Sequence, residues 1–336
     1  MIKTGSQILH CSNPLNFDTY KGCSHGCEYC FAKRGNDITK IKNGGGWISF
    51  KNWINGERNE FTKWCSQDLP IHIGGLSDPY QPIERTEIRT RKVLEYIKKT
   101  KSNYPLIIST KGTEILKRDL KLISKMNIAI QISMISPEFD KIEPNAPKYN
   151  ERLNSLYEIS KNCKRLLIRI QPYVLESKNH IISFLQDYKN KGVHGIIIEG
   201  MKWRSMKDGL VKSGADCCYP REILINDFTE IKKECHRVGL RFYCAENRLR
   251  DMSDSLNCCG VDGINGFIEQ TYNITHHLFG QKILDKNMCN IGSAAPFAVV
   301  EQTGPFYKGI ELMSFKECID LCCKDYNYLN VLLQKK

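Results

Sequence analysis

The chain has 336 residues, 41% of them hydrophobic and 26% charged, the balance of a globular protein with a sizeable core and not of a disordered or low-complexity chain. Lys and Arg number 49 against 37 Asp and Glu, a net charge of +12, which excludes an acidic solvating chain and leaves two readings: a polyanion-binding surface or a solvated lysine-rich one. The 16 cysteines would suggest a disulfide framework in a short secreted chain. This chain is long, Met1–Ser6 lacks the apolar core of a signal peptide, and no stretch approaches the roughly 18 apolar residues of a membrane span. The expectation is a cytoplasmic protein with reduced thiols, some of them metal ligands.

In chain order, residues 40–46 with three consecutive glycines read as a loop. Short Ile-rich runs then recur at 71–76, 106–110, 128–133, 165–171, 195–200 and 239–244, each with the length and composition of a buried strand. Between them, residues 84–100, 113–126, 149–162, 181–191 and 221–238 carry helical periodicity. Strands alternating with helices imply βα units on a parallel sheet, and six of them imply an α/β fold built as a partial (βα)6-type TIM barrel. Residues 202–220 read as a loop. The βα rhythm is lost after about Gly260, and the chain is divided into a barrel at 1–250 and an appended region at 251–336. Residues 314–333 place Phe315, Cys318, Ile319 and Cys322 on one helical face.

Strand parity adds a functional expectation. Ile128, Ile130 and Ile132 share one face, and so do Leu166, Ile168 and Ile170. The other face carries Gln131, Arg169 and Gln171, while Glu199 and Lys111 stand at strand exits. A face that turns polar toward the C-terminal strand ends is where a barrel holds its active site.

The sharpest local signal is Gly22-Cys23-Ser24-His25-Gly26-Cys27-Glu28-Tyr29-Cys30, spaced C-x3-C-x2-C. Soft thiolates this close suit an iron–sulfur cluster with one iron left open. A zinc site completed by His25 or Cys11 also satisfies the ligand count, and unliganded thiols are the third reading. Farther on, Cys244, Cys258, Cys259 and Cys289 form a group suited to an auxiliary iron–sulfur cluster, or to packing as small apolar side chains.

The loop resembles the signature of the radical S-adenosylmethionine (SAM) superfamily, C-x3-C-x-aromatic-C, with Tyr29 at the aromatic place. Residues 74–84 (Gly-Gly-Leu-Ser-Asp-Pro-Tyr-Gln-Pro-Ile-Glu), Ser109-Thr110-Lys111-Gly112 and Ile142-Glu143-Pro144 with Arg152-Leu153 resemble successive elements of its spore photoproduct lyase-like branch. The resemblance covers roughly residues 13–200. It implies a [4Fe–4S] cluster on Cys23, Cys27 and Cys30, SAM as cofactor, and a one-electron donor of flavodoxin or ferredoxin type. It also implies Tyr29 near the adenine, Gly74 and Gly75 close to the methionine end, and Ser77 and Lys111 in contact with SAM. Gln131, Arg169 and Glu199 are added from strand parity, with Arg169 suited to the SAM carboxylate. The branch places a hydrogen-donating cysteine just before its Ser-Asp pair; Gly75 and Leu76 stand there instead, so a different substrate is implied. With the charge of +12, DNA, RNA or a nucleotide is the expected substrate class. A peptide or small metabolite, and a non-catalytic metal-stabilised nucleic-acid-binding protein, are the other readings.

Overall fold

The computed structural model describes residues 3–4, 11–33, 37–57, 62, 65–213 and 216–269. Seven strands run parallel in an eight-stranded sheet: β1 (Leu15–Phe17), β2 (Ile71–Ile73), β3 (Leu106–Thr110), β4 (Ile128–Ser133), β5 (Arg165–Tyr173), β6 (Gly195–Gly200) and β7 (Arg241–Cys244). They hydrogen-bond in that order, each parallel to the next. The two-residue strand Lys3–Thr4 lies antiparallel on β1. Among the described residues no strand joins β7 back to the β1 edge, and the sheet they form is open. The architecture is α/β, with one more parallel strand than the six expected. β1 is only three residues long, Leu-Asn-Phe, too short for a periodic signal.

Among the described residues, five helices of eight residues or more flank the sheet: α1 (Trp47–Ile54), α2 (Arg89–Lys101), α3 (Tyr149–Ser160), α4 (Lys178–Asn190) and α5 (Arg221–Arg237). They cover one face of the sheet. Ile108, Ile130, Ile132, Ile168 and Ile198 pack there against Val93, Leu94, Leu156, Leu185 and Phe228. Each contributes about 1.5–3 kcal/mol when fully buried. The strand parity expected from sequence is the parity observed: Ile107 and Ala129 lie on the opposite face with Val261 and Phe267, and Leu167, Ile197 and Tyr243 form a third small cluster.

That opposite face is covered by residues 253–268, a strap that bridges the open edges. The Phe242 N–H donates to Asp254 Oδ2 and the Asp254 N–H to Phe242 O, both at 2.8 Å. At the far edge Asn257 Nδ2 donates to Asn13 Oδ1 (2.8 Å) and Asn13 Nδ2 to the Ile268 carbonyl (3.2 Å). Between them Arg165 donates to the carbonyls of Gly260 (2.8 Å) and Asp262 (2.7 Å).

Four expected elements differ. The helix over 84–100 breaks at Ile88, the single non-glycine residue with positive φ (47°) among the described residues. The break lets the buried Glu84 carboxylate turn back and accept the first N–H groups of α2, Thr90 at 2.9 Å and Arg91 at 3.2 Å, which a continuous helix would hold out of reach. The helix over 113–126 divides into Thr113–Lys117 and Leu120–Ile123, because Arg118 and Asp119 at the joint turn into the same buried network: Arg118 Nη2 lies 2.8 Å from Glu84 and Arg91 Nη1 lies 3.0 Å from Asp119. The expected loop at 202–220 folds into a small antiparallel sheet in the order Lys202–Trp203, Asp216–Cys218, Val211–Ser213, where Cys217 and Cys218 are buried packing residues. Within 40–46, Lys42–Asn43 pairs with Tyr20–Lys21. The helix expected at 314–333 lies outside the described residues.

Candidate functional site

The cysteine loop sits just past the C-terminal end of β1 and is held by backbone and amide contacts from three separate segments. Gly22 adopts φ +86°, and a Cβ there would stand 2.7 Å from the Ile38 carbonyl, which accepts the Cys23 N–H at 2.9 Å. Gln81 receives the Ser24 N–H at 2.8 Å and donates to Gly22 O (3.1 Å) and Ser77 Oγ (3.3 Å). Ile142 accepts the Glu28 N–H at 2.9 Å, and Asn145 Nδ2 donates to Ser24 O at 2.9 Å. Three fixed segments on one short loop pre-organise it.

Two buried charge networks flank the thiols. Asp78 accepts Thr110 Oγ1 (2.6 Å), the Lys111 N–H (2.7 Å) and the Tyr80 N–H (2.8 Å), and its Oδ2 lies 3.1 Å from His25 Nε2 as an ion-pair contact outside hydrogen-bond geometry. Burial opposes ionisation of Asp78, but His25 and these donors hold its carboxyl at about 2. Glu143 pairs with Arg152 at 2.6 Å and with Lys111 at 3.6 Å, and accepts the Tyr29 hydroxyl. Lys111 Nζ stands over the Tyr29 ring, 5.6 Å from its centroid. Cys27 is raised by burial, with the Lys111 ammonium as the largest opposing influence. Cys23 is pushed up to about 12 by burial, reinforced by Asp78.

The helix-free face carries a continuous polar chain. His72 Nε2 lies 2.6 Å from Ser109 Oγ, which donates to Gln131 Oε1 at 2.7 Å. Arg169 Nη1 donates to both, at 3.0 and 3.1 Å, and its Nε donates to Gln171. Gln171 Nε2 donates to Glu199, whose charge is met by Lys202. Arg169 and Glu199 are therefore linked through Gln171 and not as a direct ion pair. Among the described residues no carboxylate lies within 4.0 Å of the Arg169 guanidinium. The structure thus gathers the expected residues in two groups: Tyr29 and Lys111 with Cys27, and Gln131, Arg169 and Glu199 on the polar face. Ser77 joins the loop through Gln81. Gly74 has φ +99°, and a Cβ there would stand 2.2 Å from the Ser109 carbonyl; the close packing of the chain on itself already requires glycine. Gly75 follows it beside Asn16.

Sequence reading gave no role to His72, Asp78, Gln81, Glu143 or Arg152. His72 had a signal: it is the polar residue between Ile71 and Ile73, so parity puts it opposite the core. The other four stand inside the motifs quoted at 74–84 and 142–153, but their roles depend on contacts distant in sequence. Of the second cysteine group, Cys244 packs in the helix-side core with its thiol toward Glu246 O (3.9 Å), Cys258 and Cys259 lie on the strap, and Cys289 lies outside the described residues.

An iron–sulfur cluster fits the loop by its donor chemistry. Cys27 interacts electrostatically with both Cys23 and Cys30, so the three share one space. Among the described residues no three His, Cys, Asp or Glu side chains converge closely enough to hold a single metal ion. His25, one of the two residues expected to complete a zinc site, is engaged elsewhere: its Nε2 lies 3.1 Å from Asp78 Oδ2 and its Nδ1 3.1 Å from Asn145 O.

No family model matches the chain. Uncharacterized proteins of Mycobacterium tuberculosis and Mycobacterium bovis are 26% identical to it over 204 residues, 56% of this chain and 59% of each relative. An uncharacterized protein of Methanocaldococcus jannaschii is 29% identical over 162 residues, 46% of this chain and 58% of the relative. The chain therefore spans somewhat more than half the length of these relatives. Two solved structures of spore photoproduct lyase superpose with a TM-score of 0.53, covering 73% of this chain and 79% of theirs at 14% and 16% identity. One carries a cysteine-to-alanine substitution and a bound dinucleoside spore photoproduct; the other carries a tyrosine-to-phenylalanine substitution. At this identity the likeness is one of fold. Among the described residues no helix is long and apolar enough to cross a membrane.

Proposed function

We propose that this chain is a radical SAM enzyme of the spore photoproduct lyase-like kind, its open parallel sheet serving as a partial (βα) barrel. The observation that carries the reading is the loop of Cys23, Cys27 and Cys30, clamped by Ile38, Gln81, Ile142 and Asn145 beside a polar sheet face. Cys23, Cys27 and Cys30 would hold a [4Fe–4S] cluster, with SAM at its open iron. When bound, this pair supplies one-electron cleavage of SAM to methionine and a 5′-deoxyadenosyl radical that abstracts hydrogen from the substrate.

The chain's own residues bind, orient and balance charge. Burial raises the Cys23 and Cys27 thiols, so cluster loading releases protons. The Lys111 ammonium supplies positive charge beside the Cys27 thiolate, and Glu143 with Arg152 fixes where that ammonium sits. Arg169, hydrogen-bonded to neutral groups, is suited to a carboxylate such as that of SAM, with Gln131 and Ser109 holding its fork. Ser77 and Tyr29 border the same loop. The net charge of +12 and the dinucleoside held by the structural relative favour a nucleic acid or nucleotide as substrate.

Anaerobic reconstitution with iron and sulfide, followed by reductant and SAM, tests the reading. Release of 5′-deoxyadenosine that is lost in Cys27→Ala is expected; its absence, or its persistence in that variant, overturns it. Affinity for DNA and RNA should fall with salt in proportion to the phosphates contacted, and a salt-independent affinity would remove nucleic acid as the substrate.

A further inference from the structure

We propose that the groove between α2 and the short helix Leu120–Ile123 is a docking site for the phosphodiester backbone of nucleic acid, separate from the cysteine loop. Lys98 and Lys99 line one wall and Lys121 and Lys125 the other, around a space of about 440 Å³. All four lysines are exposed. Among the described residues none of them has a carboxylate within 4.0 Å of its ammonium. The acids nearby are already paired: Arg91 holds Glu95 at 2.9 Å and the buried Asp119 at 3.0 Å. The lining therefore has five cations and one carboxylate, a net charge of +4, one third of the chain's +12.

A space of that volume is roughly one Debye length across at physiological salt, so the fields of the lysines add within it and an anion entering it is favoured. The composition of the lining selects the kind of anion. Among the described residues Leu122 is the one apolar side chain there. A docked protein relies on aromatic and aliphatic anchors in pockets, and a membrane surface takes an apolar face. A phosphodiester chain needs only cations. The described lining has no aromatic side chain on which a base could stack, so the contact is to the backbone and independent of sequence.

The groove lies at the other end of the sheet from the cysteine loop. Lys98 and Lys99 fall in the last turn of α2, which leads into the start of β3, and Lys125 stands just before the start of β4. The cysteine loop follows the C-terminal end of β1. Nucleic acid held in the groove is thus gripped away from the thiols, and the groove supplies anchorage and not base recognition.

The test uses the full chain without metal, so it needs neither cluster nor SAM. Affinity for a labelled DNA duplex is measured by fluorescence anisotropy against salt concentration. Wild type is compared with a chain carrying Lys98→Gln, Lys99→Gln, Lys121→Gln and Lys125→Gln. A control chain loses the same charge at four other exposed lysines, through Lys141→Gln, Lys161→Gln, Lys164→Gln and Lys233→Gln. With one phosphate on each groove lysine, the slope of log K on log[salt] should fall in magnitude by about 3.6 in the groove variant. Between about 50 and 200 mM salt, wild type should then lose about 150-fold more affinity than that variant. The control should keep the wild-type slope, and arginine at the four groove positions should restore it. A fall of less than about 1 in the groove variant, or an equal fall in the control, overturns the proposal and leaves nucleic acid standing as substrate. Displacement of the duplex by poly-glutamate at equal charge also overturns it, by making the groove a site for acidic protein. No binding by wild type overturns it together with nucleic acid as substrate, while SAM cleavage is read in none of these arms.

Discussion

His72 should make the protein acid-sensitive in a way one substitution removes. Gln131 is fixed by donating its Nε2–H to the Cys259 carbonyl at 2.9 Å, so its Oε1 faces Ser109 and takes the single hydroxyl proton. Ser109 can then only accept from His72, and the imidazole is neutral with hydrogen on Nε2. Burial first, and the Arg169 charge second, hold its pKa at about 3 against an ordinary 6.5. The sign follows: below pH 6.5 the unfolded chain takes up a proton the native protein refuses, so stability present above pH 6.5 is lost progressively toward pH 3. At pH 5 the loss from this residue is about 1.4 × 1.5, or about 2 kcal/mol. Urea unfolding of wild type and His72→Gln at pH 7.5 and 5.0 isolates it, since glutamine retains a donor toward Ser109 and does not titrate. The variant should lose about 2 kcal/mol less on acidification. Equal losses, within about 0.5 kcal/mol, would refute the assignment of a neutral buried imidazole.

Further substitutions address the loop and the polar face. Lys111→Met removes the positive charge beside Cys27, so alkylation of Cys27 in the metal-free protein at pH 8 should slow several-fold; an unchanged rate would separate the two groups electrostatically. Gly74→Ala forces a Cβ to 2.2 Å from the Ser109 carbonyl at a φ of +99° and should lower the thermal midpoint by an amount matching at least about 3 kcal/mol. Arg169→Gln should weaken SAM binding, read by equilibrium dialysis, about 10- to 100-fold, the worth of a charge-assisted hydrogen bond.

What was legible in the sequence was whatever repeats locally. Ile128-Ala129-Ile130-Gln131-Ile132 gives its own parity, and the structure keeps it, with the isoleucines toward the helices and Gln131 on the polar face. Spacing likewise marks Cys23, Cys27 and Cys30 as one unit. What stayed hidden depends on partners far along the chain. The 84–100 periodicity is continuous through Ile88, and nothing local tells that Glu84 is recruited by Tyr20, Arg118 and the α2 N-terminus. Residues 202–220 lack alternation because two-residue and three-residue strands are too short to show it.

Ser109, Thr110 and Lys111 read in sequence as one motif, yet each side chain enters a different network: Ser109 the polar face, Thr110 the Asp78–His25 pair, Lys111 the Glu143 cluster. The end of β3 therefore couples the loop to the sheet face, and Thr110 is the place to cut that coupling. Its Oγ1 donates to Asp78 at 2.6 Å and accepts the Gly112 N–H at 2.8 Å. Thr110→Val keeps the shape, strands the Gly112 N–H and removes one donor from a buried carboxylate, costing about 1–3 kcal/mol. Asp78 also holds the Lys111 backbone and His25, so the loss should reach the cysteine loop. Iron bound per chain after reconstitution should drop in Thr110→Val and recover in Thr110→Ser, with thermal unfolding measured in parallel. A lowered midpoint with full iron loading would confine Thr110 to stability and refute the coupling, because the loop thiols would then hold their geometry without the Asp78 bridge.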